Sequence, residues 1–254
     1  YKQICDIVKK NNIDYIFHLA AEAIVEDTLK NPREAFETNI MGTVNICEAA
    51  RLYGNVKGIV VTSSDKAYGK IPRAREIDTL CGDHPYEASK SSADLIAQTY
   101  FKTFKMPIVV TRFGNVYGEG DLNFSRIIPG IMESVIRNKT LKIRSNGKYV
   151  RDYVYVGDII DSLIIIIRNI NNISGETFNV SSNENLSVLQ LIKKTEKVLG
   201  KRIKYRITNT AVNEIPVQSI DFGKISKMLG WIPSNKLGST LGLILDWYRI
   251  NFFK

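Results

Sequence analysis

The length, composition and charge of the chain exclude several classes of protein. With 254 residues, 44% hydrophobic and 24% charged, it has an ordinary globular balance, enough for one large domain or a domain with an appended lobe. Its longest aliphatic run, Leu163–Ile167, is too short to cross a membrane, and no signal-peptide pattern opens the chain, so we expect no membrane association or secretion. The three cysteines, Cys5, Cys47 and Cys81, are scattered, which argues against a disulfide framework and a metal site and favours a reducing cytoplasm.

The formal net charge of +9 suits an anionic partner. Basic residues are spread along the chain, and no basic segment is interleaved with aromatic residues. We therefore expect no nucleic-acid binding, and a phosphorylated small molecule would use the same positive field.

Helices and strands alternate along the first half of the chain. After an initial helical pattern, the predicted strands are 14–21, 58–63 and 108–112, and the predicted helices are 33–53, ended by Gly54, and 87–104. The strands are continuously apolar rather than alternating, which is typical of buried parallel strands joined by helices. The pattern predicts an α/β fold with a doubly wound parallel sheet.

Beyond Gly120 the elements become shorter and more mixed. The predicted helices are 121–138 after a loop, one opened by Gly157 and Asp158, 187–200, 222–229 and one from about 239; the predicted strands are 141–143, 151–156, 176–180 and 203–207. We expect one domain over residues 1–120 and a second lobe over 121–254, with the segments around 151–170 returning to the first domain.

A tyrosine and a lysine lie four residues apart at the start of the helix predicted over 87–104. This spacing places Tyr86 and Lys90 on one helical face, one turn apart. A nearby ammonium lowers the cost of ionising a phenol, whose unperturbed pKa is about 10, so Tyr86 could act as a base. The alternative is that the two side chains only mark an exposed helical turn.

Polar or small residues follow three of the predicted strands. They are His18–Ala21, Thr62–Lys66 and the glycine-rich turn Arg112–Gly120. Ligands of doubly wound sheets bind outside the carboxyl ends of the strands, so these segments and Tyr86 predict one site. Each segment alone is weak evidence, since a histidine at a strand end is commonly structural.

Together these segments resemble the extended short-chain dehydrogenase/reductases, in particular the NAD-dependent nucleotide-sugar epimerases and 4,6-dehydratases. The matching motifs are His18–Ala21, Asn39–Asn45, Ser63–Lys66, Tyr86-x-x-x-Lys90, Arg112–Gly118, Arg151–Val156 and Leu229–Pro233. The resemblance implies a Rossmann-like domain that binds NAD, a lobe that binds a nucleotide-diphosphate sugar, and a homodimer.

One family motif is absent from the sequence. The family opens with a strand and a Gly-x-x-Gly-x-x-Gly turn for the dinucleotide pyrophosphate, and here Tyr1 begins directly on a helical pattern. We expect that an N-terminal βαβ pair precedes Tyr1. The hypothesis of another class is a non-catalytic binding protein that lacks this turn.

The resemblance assigns roles to three consecutive residues. Ser64 would hydrogen-bond the sugar O4 beside Tyr86. Epimerases typically lack an acid and a base directly after this hydroxyl, whereas dehydratases carry them, so Asp65 and Lys66 favour dehydration. Asp65 would protonate the C6 hydroxyl and Lys66 would remove the C5 proton, with hydride passing from C4 to NAD and back to C6. The alternatives are a turn ion pair between Asp65 and Lys66, and a 4-epimerase that retains the C6 hydroxyl.

By the same resemblance we assign the ligand contacts. NAD would contact residues Leu19, Ala20, Ala21, Thr62, Tyr86, Lys90 and Phe113. The substrate diphosphate would contact residues Asn115, Arg126 and Arg151, because the arginine fork suits phosphate, although Arg126 could instead be a solvated residue in the first turn of its helix. We interpret Tyr153 and Trp231 as core aromatics.

Several segments resemble the CDP-glucose 4,6-dehydratase branch. They are Ser64–Lys66, Gly82–Tyr86, Gly114–Asp121 and Asn213–Pro216. Arg151-Asp-Tyr-Val-Tyr instead has the general family form, so the nucleotide base stays open.

Overall fold

The computed structural model describes residues 1–210 and 215–253. The chain forms two compact units. The first comprises residues 1–113, 161–180 and 221–231, and the second comprises residues 114–160, 181–220 and 232–254. Asn213 and Glu214, part of one segment that resembles the CDP-glucose branch, lie outside the described residues.

A four-stranded parallel sheet forms the centre of the first unit. Its strands are β1 (Tyr15–His18), β2 (Gly58–Ser64), β3 (Ile108–Phe113) and β7 (Thr177–Val180), in the spatial order β1-β2-β3-β7. Strand β2 is buried along its whole length, as expected for a parallel strand covered on both faces. The predicted α/β class with a parallel sheet is confirmed.

Helices precede, connect and follow these strands. They are α1 (Lys2–Lys10), α2 (Val25–Lys30), α3 (Pro32–Phe36), α4 (Gly42–Tyr53), α5 (Pro85–Phe104), α7 (Val156–Arg168), α8 (Ile170–Ile173) and α10 (Gly223–Leu229), α7 beginning in the second unit. Small side chains, Cys47 and Ala50 on α4 and Ala97 on α5, pack with sheet residues such as Ile59 and Val110 in a buried cluster. Trp231, predicted as a core aromatic, is buried.

The helix predicted over 33–53 is present, but it is not regular. Between α3 and α4 the chain makes a π-helical turn, Glu37–Met41. Its central Asn39 is buried and bonds to the backbone of Glu22 and to Ser89. These distant partners, which a helical hydrophobic period does not encode, satisfy the polar side chain where the extra residue is inserted.

In its described residues, the second unit contains two small sheets, three complete helices and the start of α7. Strands β4 (Asn115–Tyr117) and β6 (Val150–Tyr155) are parallel, β8 (Asn185–Ser187) is antiparallel to β6, and β5 (Leu141–Ile143) pairs in parallel with β9 (Tyr205–Ile207). The helices are α6 (Ile127–Arg137), α9 (Val188–Leu199) and α11 (Leu237–Asn251). Their apolar faces form one core that includes Tyr153, as predicted. The segment predicted as a glycine-rich turn, 112–120, contains strand β4.

None of the helices in the described ranges combines the length and the apolar character that crossing a bilayer requires.

Candidate active site

Lys90 is held inside the first unit by helix α5. Its side chain is 6% exposed, and Nζ donates a hydrogen bond to the carbonyl of Thr62, 2.9 Å away, at the end of β2. Burial lowers the pKa of Lys90 to about 8, although the Asp94 carboxylate one turn further along the helix opposes the shift. Desolvation therefore outweighs the attraction of Asp94, and Lys90 still carries its proton at pH 7.

The start of helix α5 is fixed by a histidine. His84 is the N-cap residue, and its Nδ1 accepts a hydrogen bond from the backbone N–H of Tyr86 at 3.1 Å, in the position where serine or aspartate is usual. Pro85 follows at the first helical position, which tolerates a missing N–H. Nδ1 accepts and so carries no proton, which assigns the proton of the neutral ring to Nε2. Tyr86 is thereby placed in the first turn, 8% exposed.

A second set of contacts holds the same helical turn from the side. Ser89 Oγ donates to the Tyr86 carbonyl at 2.8 Å and accepts from Asn39 Nδ2 at 2.8 Å. Asn39 Nδ2 also donates to the Glu22 carbonyl at 3.1 Å, and Asn39 Oδ1 accepts from the Glu22 backbone N–H at 2.7 Å, in the segment that follows β1. The π turn thus joins the first turn of α5 to the carboxyl end of β1.

The segment that follows strand β2 is a short 3₁₀ turn, Asp65–Tyr68. Ser64 caps it, since its Oγ accepts from the backbone N–H of Lys66 at 3.2 Å and donates to Asp65 Oδ1 at 3.0 Å. Asp65 is buried and Lys66 is half-buried. The hydroxyl predicted to bind the sugar therefore also holds the turn on which the predicted acid and base lie.

Helix α5 packs directly on strand β2 and on this turn. Ser91 Oγ donates to the carbonyl of Ala67 at 3.1 Å. Gly82 allows the preceding loop to approach the helix, because a Cβ there would lie 2.6 Å from the Ala88 backbone. The structure thus brings the elements that carry Ser64–Lys66 and Tyr86–Lys90 together in one unit.

The Lys66 ammonium faces two further titratable groups on the adjacent helix end. Burial and the charge of Lys66 lower the pKa of His84. Burial raises the pKa of Glu87, against the opposing effect of an N–H bond from Asp83 and of Lys66. A buried carboxyl and a neutral imidazole therefore surround the predicted base.

The carboxyl end of β1 is open and nearly free of charge. Leu19 and Ala20 are exposed, and Ala21 is half-buried. The preceding His18 is buried, hydrogen-bonds Thr43 Oγ1 at 3.0 Å, and has its pKa lowered to about 4 by burial and by Lys90, so it remains neutral. His18 is a structural histidine.

The predicted cofactor contacts fit a flat dinucleotide at this edge. Thr62 is buried and donates through Oγ1 to the His18 carbonyl at 3.1 Å, which fixes the ends of β1 and β2 beside each other. Phe113, at the end of β3, is half-buried. Small or apolar residues at the strand ends and the buried Lys90 ammonium offer an apolar surface with one positive charge, which suits a nicotinamide ribose.

The three predicted substrate contacts belong to the second unit. Asn115 on β4 lies opposite Tyr153 of β6, and Arg151 precedes Tyr153 by two positions. Because side chains alternate along a strand, Asn115, Arg151 and Tyr153 lie on one face of the sheet. Arg151 donates to the carbonyls of Val150 and Ile215 at 2.9 and 2.8 Å. Arg126 precedes α6 as its N-cap, is 47% exposed, and pairs with Asp121 at 3.2 Å.

Sequence reasoning did not single out several residues that shape the site: His84, Glu87, Asn39, Ser89, Tyr68 and Asp94. Spacing could have found two of them, because Asp94 follows Lys90 by four residues and shares the helical face of Tyr86 and Lys90, and His84 directly precedes Pro85, where an N-cap belongs. The π-turn partners of Asn39 have no comparable local signal.

Known proteins match nearly the whole chain. A model described as the NAD dependent epimerase/dehydratase family matches residues 1–181. The dTDP-glucose 4,6-dehydratase of Salmonella typhimurium is 29% identical over 285 residues, covering 99% of this chain and 78% of its own. The UDP-glucuronate 4-epimerase of Thermodesulfobacterium geofontis is 30% identical and covers 99% of this chain and 77% of its own.

A solved structure has the same fold. The dTDP-glucose 4,6-dehydratase DesIV of Streptomyces venezuelae, determined with NAD bound, superposes with a TM-score of 0.90 at 26% identity. The superposition covers 98% of this chain and 77% of that one.

Proposed function

Because the chain belongs to the NAD dependent epimerase/dehydratase family, we propose that it is a nucleotide-sugar 4,6-dehydratase, which converts an NDP-hexose to an NDP-4-keto-6-deoxyhexose. Family membership confirms the expected nucleotide-sugar epimerase/dehydratase class and NAD as its cofactor. The reaction within the family and the sugar nucleotide are our proposal.

One observation carries the choice of dehydration. The capped turn places an acid and an amine, Asp65 and Lys66, immediately after the Ser64 hydroxyl, and this turn packs on the helix that carries Tyr86 and Lys90. Besides a hydride acceptor, which NAD would supply, oxidation at C4 needs only a hydroxyl contact and a base. Loss of water from C5 and C6 additionally needs a base for the C5 proton and an acid for the leaving hydroxyl.

Each side chain then has a defined task. Tyr86, ionised to the phenolate, accepts the O4 proton, and the Lys90 ammonium stabilises the phenolate charge before that transfer. Ser64 donates a hydrogen bond to O4, for which its proton turns away from Asp65. NAD, when bound, supplies the hydride acceptor for C4 and the hydride donor for C6.

The elimination step is assigned to the other two residues. Lys66 acts in its neutral amine form, which takes the C5 proton and so returns to the ammonium. The electron pair of the broken C5–H bond forms the C5–C6 double bond. The C6–O bond breaks, and Asp65 delivers its proton to the departing oxygen, so that water leaves. We further propose that Asn115, Arg126 and Arg151 bind the substrate diphosphate, as donors suited to phosphate oxygens.

CDP-glucose is the first substrate we propose, on the resemblance of Ser64–Lys66, Gly82–Tyr86 and Gly114–Asp121 to that branch. The experiment incubates the full-length protein and NAD with CDP-, dTDP-, UDP- and GDP-glucose in parallel. A 4-keto-6-deoxy product, detected by its near-ultraviolet absorbance in alkali, supports dehydration, and its nucleotide identifies the base.

A 4-epimerase is the second candidate, favoured by the 30% identical UDP-glucuronate 4-epimerase. Its product would be a 4-epimer that keeps oxygen at C6, without alkali-dependent absorbance. Formation of that epimer as the sole product would overturn the dehydratase proposal, and binding without turnover of any sugar nucleotide would overturn both.

A further inference from the structure

The first unit contains a buried ion pair that is linked by hydrogen bonds to two neutral side chains, Tyr68 and Asn179. Arg112 on β3 and Asp94 on α5 are 2% and 0% exposed. The guanidinium binds the carboxylate with two bonds, from Nε to Oδ2 at 2.7 Å and from Nη2 to Oδ1 at 3.0 Å. This parallel arrangement is the strongest geometry available to such a pair.

Tyr68 completes the network from the other side. Its Oη accepts from Arg112 Nη1 at 2.6 Å and donates to Asn179 Oδ1 at 2.7 Å, and the guanidinium also lies 4.7 Å from the ring centre. Asn179 Nδ2 donates to the carbonyls of Ala74 and Asp221, which orients its oxygen towards Tyr68. The phenol therefore uses both its donor and an acceptor while being 1% exposed.

The network joins the elements that carry the proposed catalytic groups. Tyr68 is the last residue of the turn that begins at Asp65. Asp94 lies one and two helical turns beyond Lys90 and Tyr86, on their face of α5. Arg112 is the register partner of Ser63, next to Ser64.

Packing alone does not require this arrangement. A buried ion pair is costly to desolvate, and apolar residues of similar volume commonly stabilise a fold equally well. Buried polar networks that are fully bonded instead hold their elements in one geometry. The Asp94 carboxylate also raises the pKa of Lys90, against the effect of burial.

We infer that Tyr68 and Asp94 are positioning residues that, through Arg112, hold the turn of Ser64–Lys66 in register with the helix of Tyr86 and Lys90. This inference rests on the proposed function and deepens it. Neither residue touches the substrate. Tyr68 lies at the far end of the turn, so its loss displaces Asp65 and Lys66. Ser64 stays in place on strand β2, paired with Phe113, and Tyr86 and Lys90 stay in place on the helix.

The test compares Tyr68→Phe with the wild type in the full-length protein. The change keeps the ring and removes the bonds to Arg112 and Asn179 only. Hydrogen exchange of residues 64–70 should accelerate by about tenfold, and that of residues 86–94 should be unchanged, because the network then restrains the helix but not the turn. This readout needs no turnover.

Single-turnover kinetics supply the second readout. In Tyr68→Phe, the rate of cofactor reduction by the sugar nucleotide should stay within about twofold of wild type. The rate of formation of the 4-keto-6-deoxy product should fall by about 10²-fold, which is the effect expected when a reacting group is displaced by about 1 Å. Reduced cofactor should then accumulate. A role in stability alone would lower the melting temperature and slow both steps equally.

Tyr100→Phe is the matched control. Tyr100 lies on the same helix, and its hydroxyl bonds to Glu48 at 3.1 Å, away from the network. We expect wild-type exchange in residues 64–70 and wild-type kinetics. Should Tyr68→Phe fail to fold, Asn179→Ala removes the acceptor of the Tyr68 proton and should accelerate exchange in the same residues.

The outcomes separate the two proposals. Unchanged exchange in residues 64–70 of Tyr68→Phe, or equal slowing of both kinetic steps, overturns the positioning role. A wild-type protein that makes no 4-keto-6-deoxy sugar overturns the proposed function, and the exchange experiment still decides the role of Tyr68.

Discussion

Helix α5 and the turn after strand β2 hold their functional groups in different ways. On α5 the proposed catalytic side chains, Tyr86 and Lys90, are distinct from the residues that fix the helix, His84 and Ser89. On the turn the Ser64 hydroxyl is both the proposed sugar contact and the cap of the 3₁₀ segment. Chemistry and structure can therefore be separated by mutation on the helix, whereas a change at Ser64 affects both.

The largest effect should follow loss of the helical base. Tyr86→Phe should slow oxidation at C4 by about 10³-fold with the helix cap intact, because His84 accepts from the backbone N–H of residue 86 and not from its side chain. The measurement is cofactor reduction in a single turnover, with Tyr100→Phe as control. Reduction at more than about a tenth of the wild-type rate would remove Tyr86 from the mechanism.

Loss of the acid on the turn should block only the later step. Asp65→Asn keeps the oxygen that accepts from Ser64, so the turn should persist. Oxidation should continue while formation of the 4-keto-6-deoxy sugar falls by about 10²-fold. Asp27→Asn, at an acid half exposed beside Lys30, is the control. If Asp65→Asn and Tyr86→Phe lose both steps to the same extent, the division between helix and turn is wrong.

A change at Ser64 should combine both effects. Ser64→Ala removes the O4 contact and the cap, so we expect oxidation slowed by about tenfold and stability lowered by about 1 kcal/mol. Ser64→Thr keeps a hydroxyl and should recover much of both. The measurements are single-turnover reduction and the denaturation midpoint. An alanine variant that loses activity at full stability would mean that the hydroxyl does not hold the turn.

The pH dependence of C4 oxidation should follow the protonation of Lys90, the buried lysine of helix α5. Lys90, with a pKa of about 8, carries charge below that pH and loses it above. The C4 oxidation rate should therefore fall by about tenfold per unit of pH above about 8, as the phenolate loses its cationic neighbour. Asp94 and His18 face the same ammonium. Lys90→Met should be slow at every pH without this inflection; the same inflection in Lys90→Met would assign it to another group.

The smallest effect on catalysis should follow loss of the His84 cap, which acts on the stability of the fold. His84→Ala removes the N-cap acceptor and should lower stability by about 1 kcal/mol, with little change in the rate of oxidation per folded molecule. His84→Ser supplies another cap and should restore the stability. The pKa of His84 in the folded protein lies below its ordinary value. The contribution of His84 to stability is therefore complete above about pH 6.5 and is lost as pH falls further. Thermal denaturation of the three proteins at neutral and acid pH measures this, and a serine variant as unstable as the alanine variant would contradict it.

Most of the sheet was predictable because buried parallel strands are continuous apolar runs. Strands β2 and β3 agree with the predicted 58–63 and 108–112 to within one residue at each end. Strand β4 was missed because it lies between Gly114 and Gly118 in a glycine-rich stretch that predicts a turn, and its partner strand β6 is distant in the chain. The helix predicted over 33–53 is present, but its π-helical turn at Asn39 was not predicted, because the partners that stabilise Asn39 come from other segments.

Local spacing by itself determined the α/β sheet, the helical face shared by Tyr86 and Lys90, and the run Ser64–Lys66 at a strand end, because each depends on a backbone period. Only the tertiary structure decided the environment of these groups: the buried Lys90 ammonium on the Thr62 carbonyl, the His84 cap, and the Tyr68–Arg112–Asp94 network. Burial and hydrogen-bond partners arise from segments distant in the chain, so no local pattern specifies them.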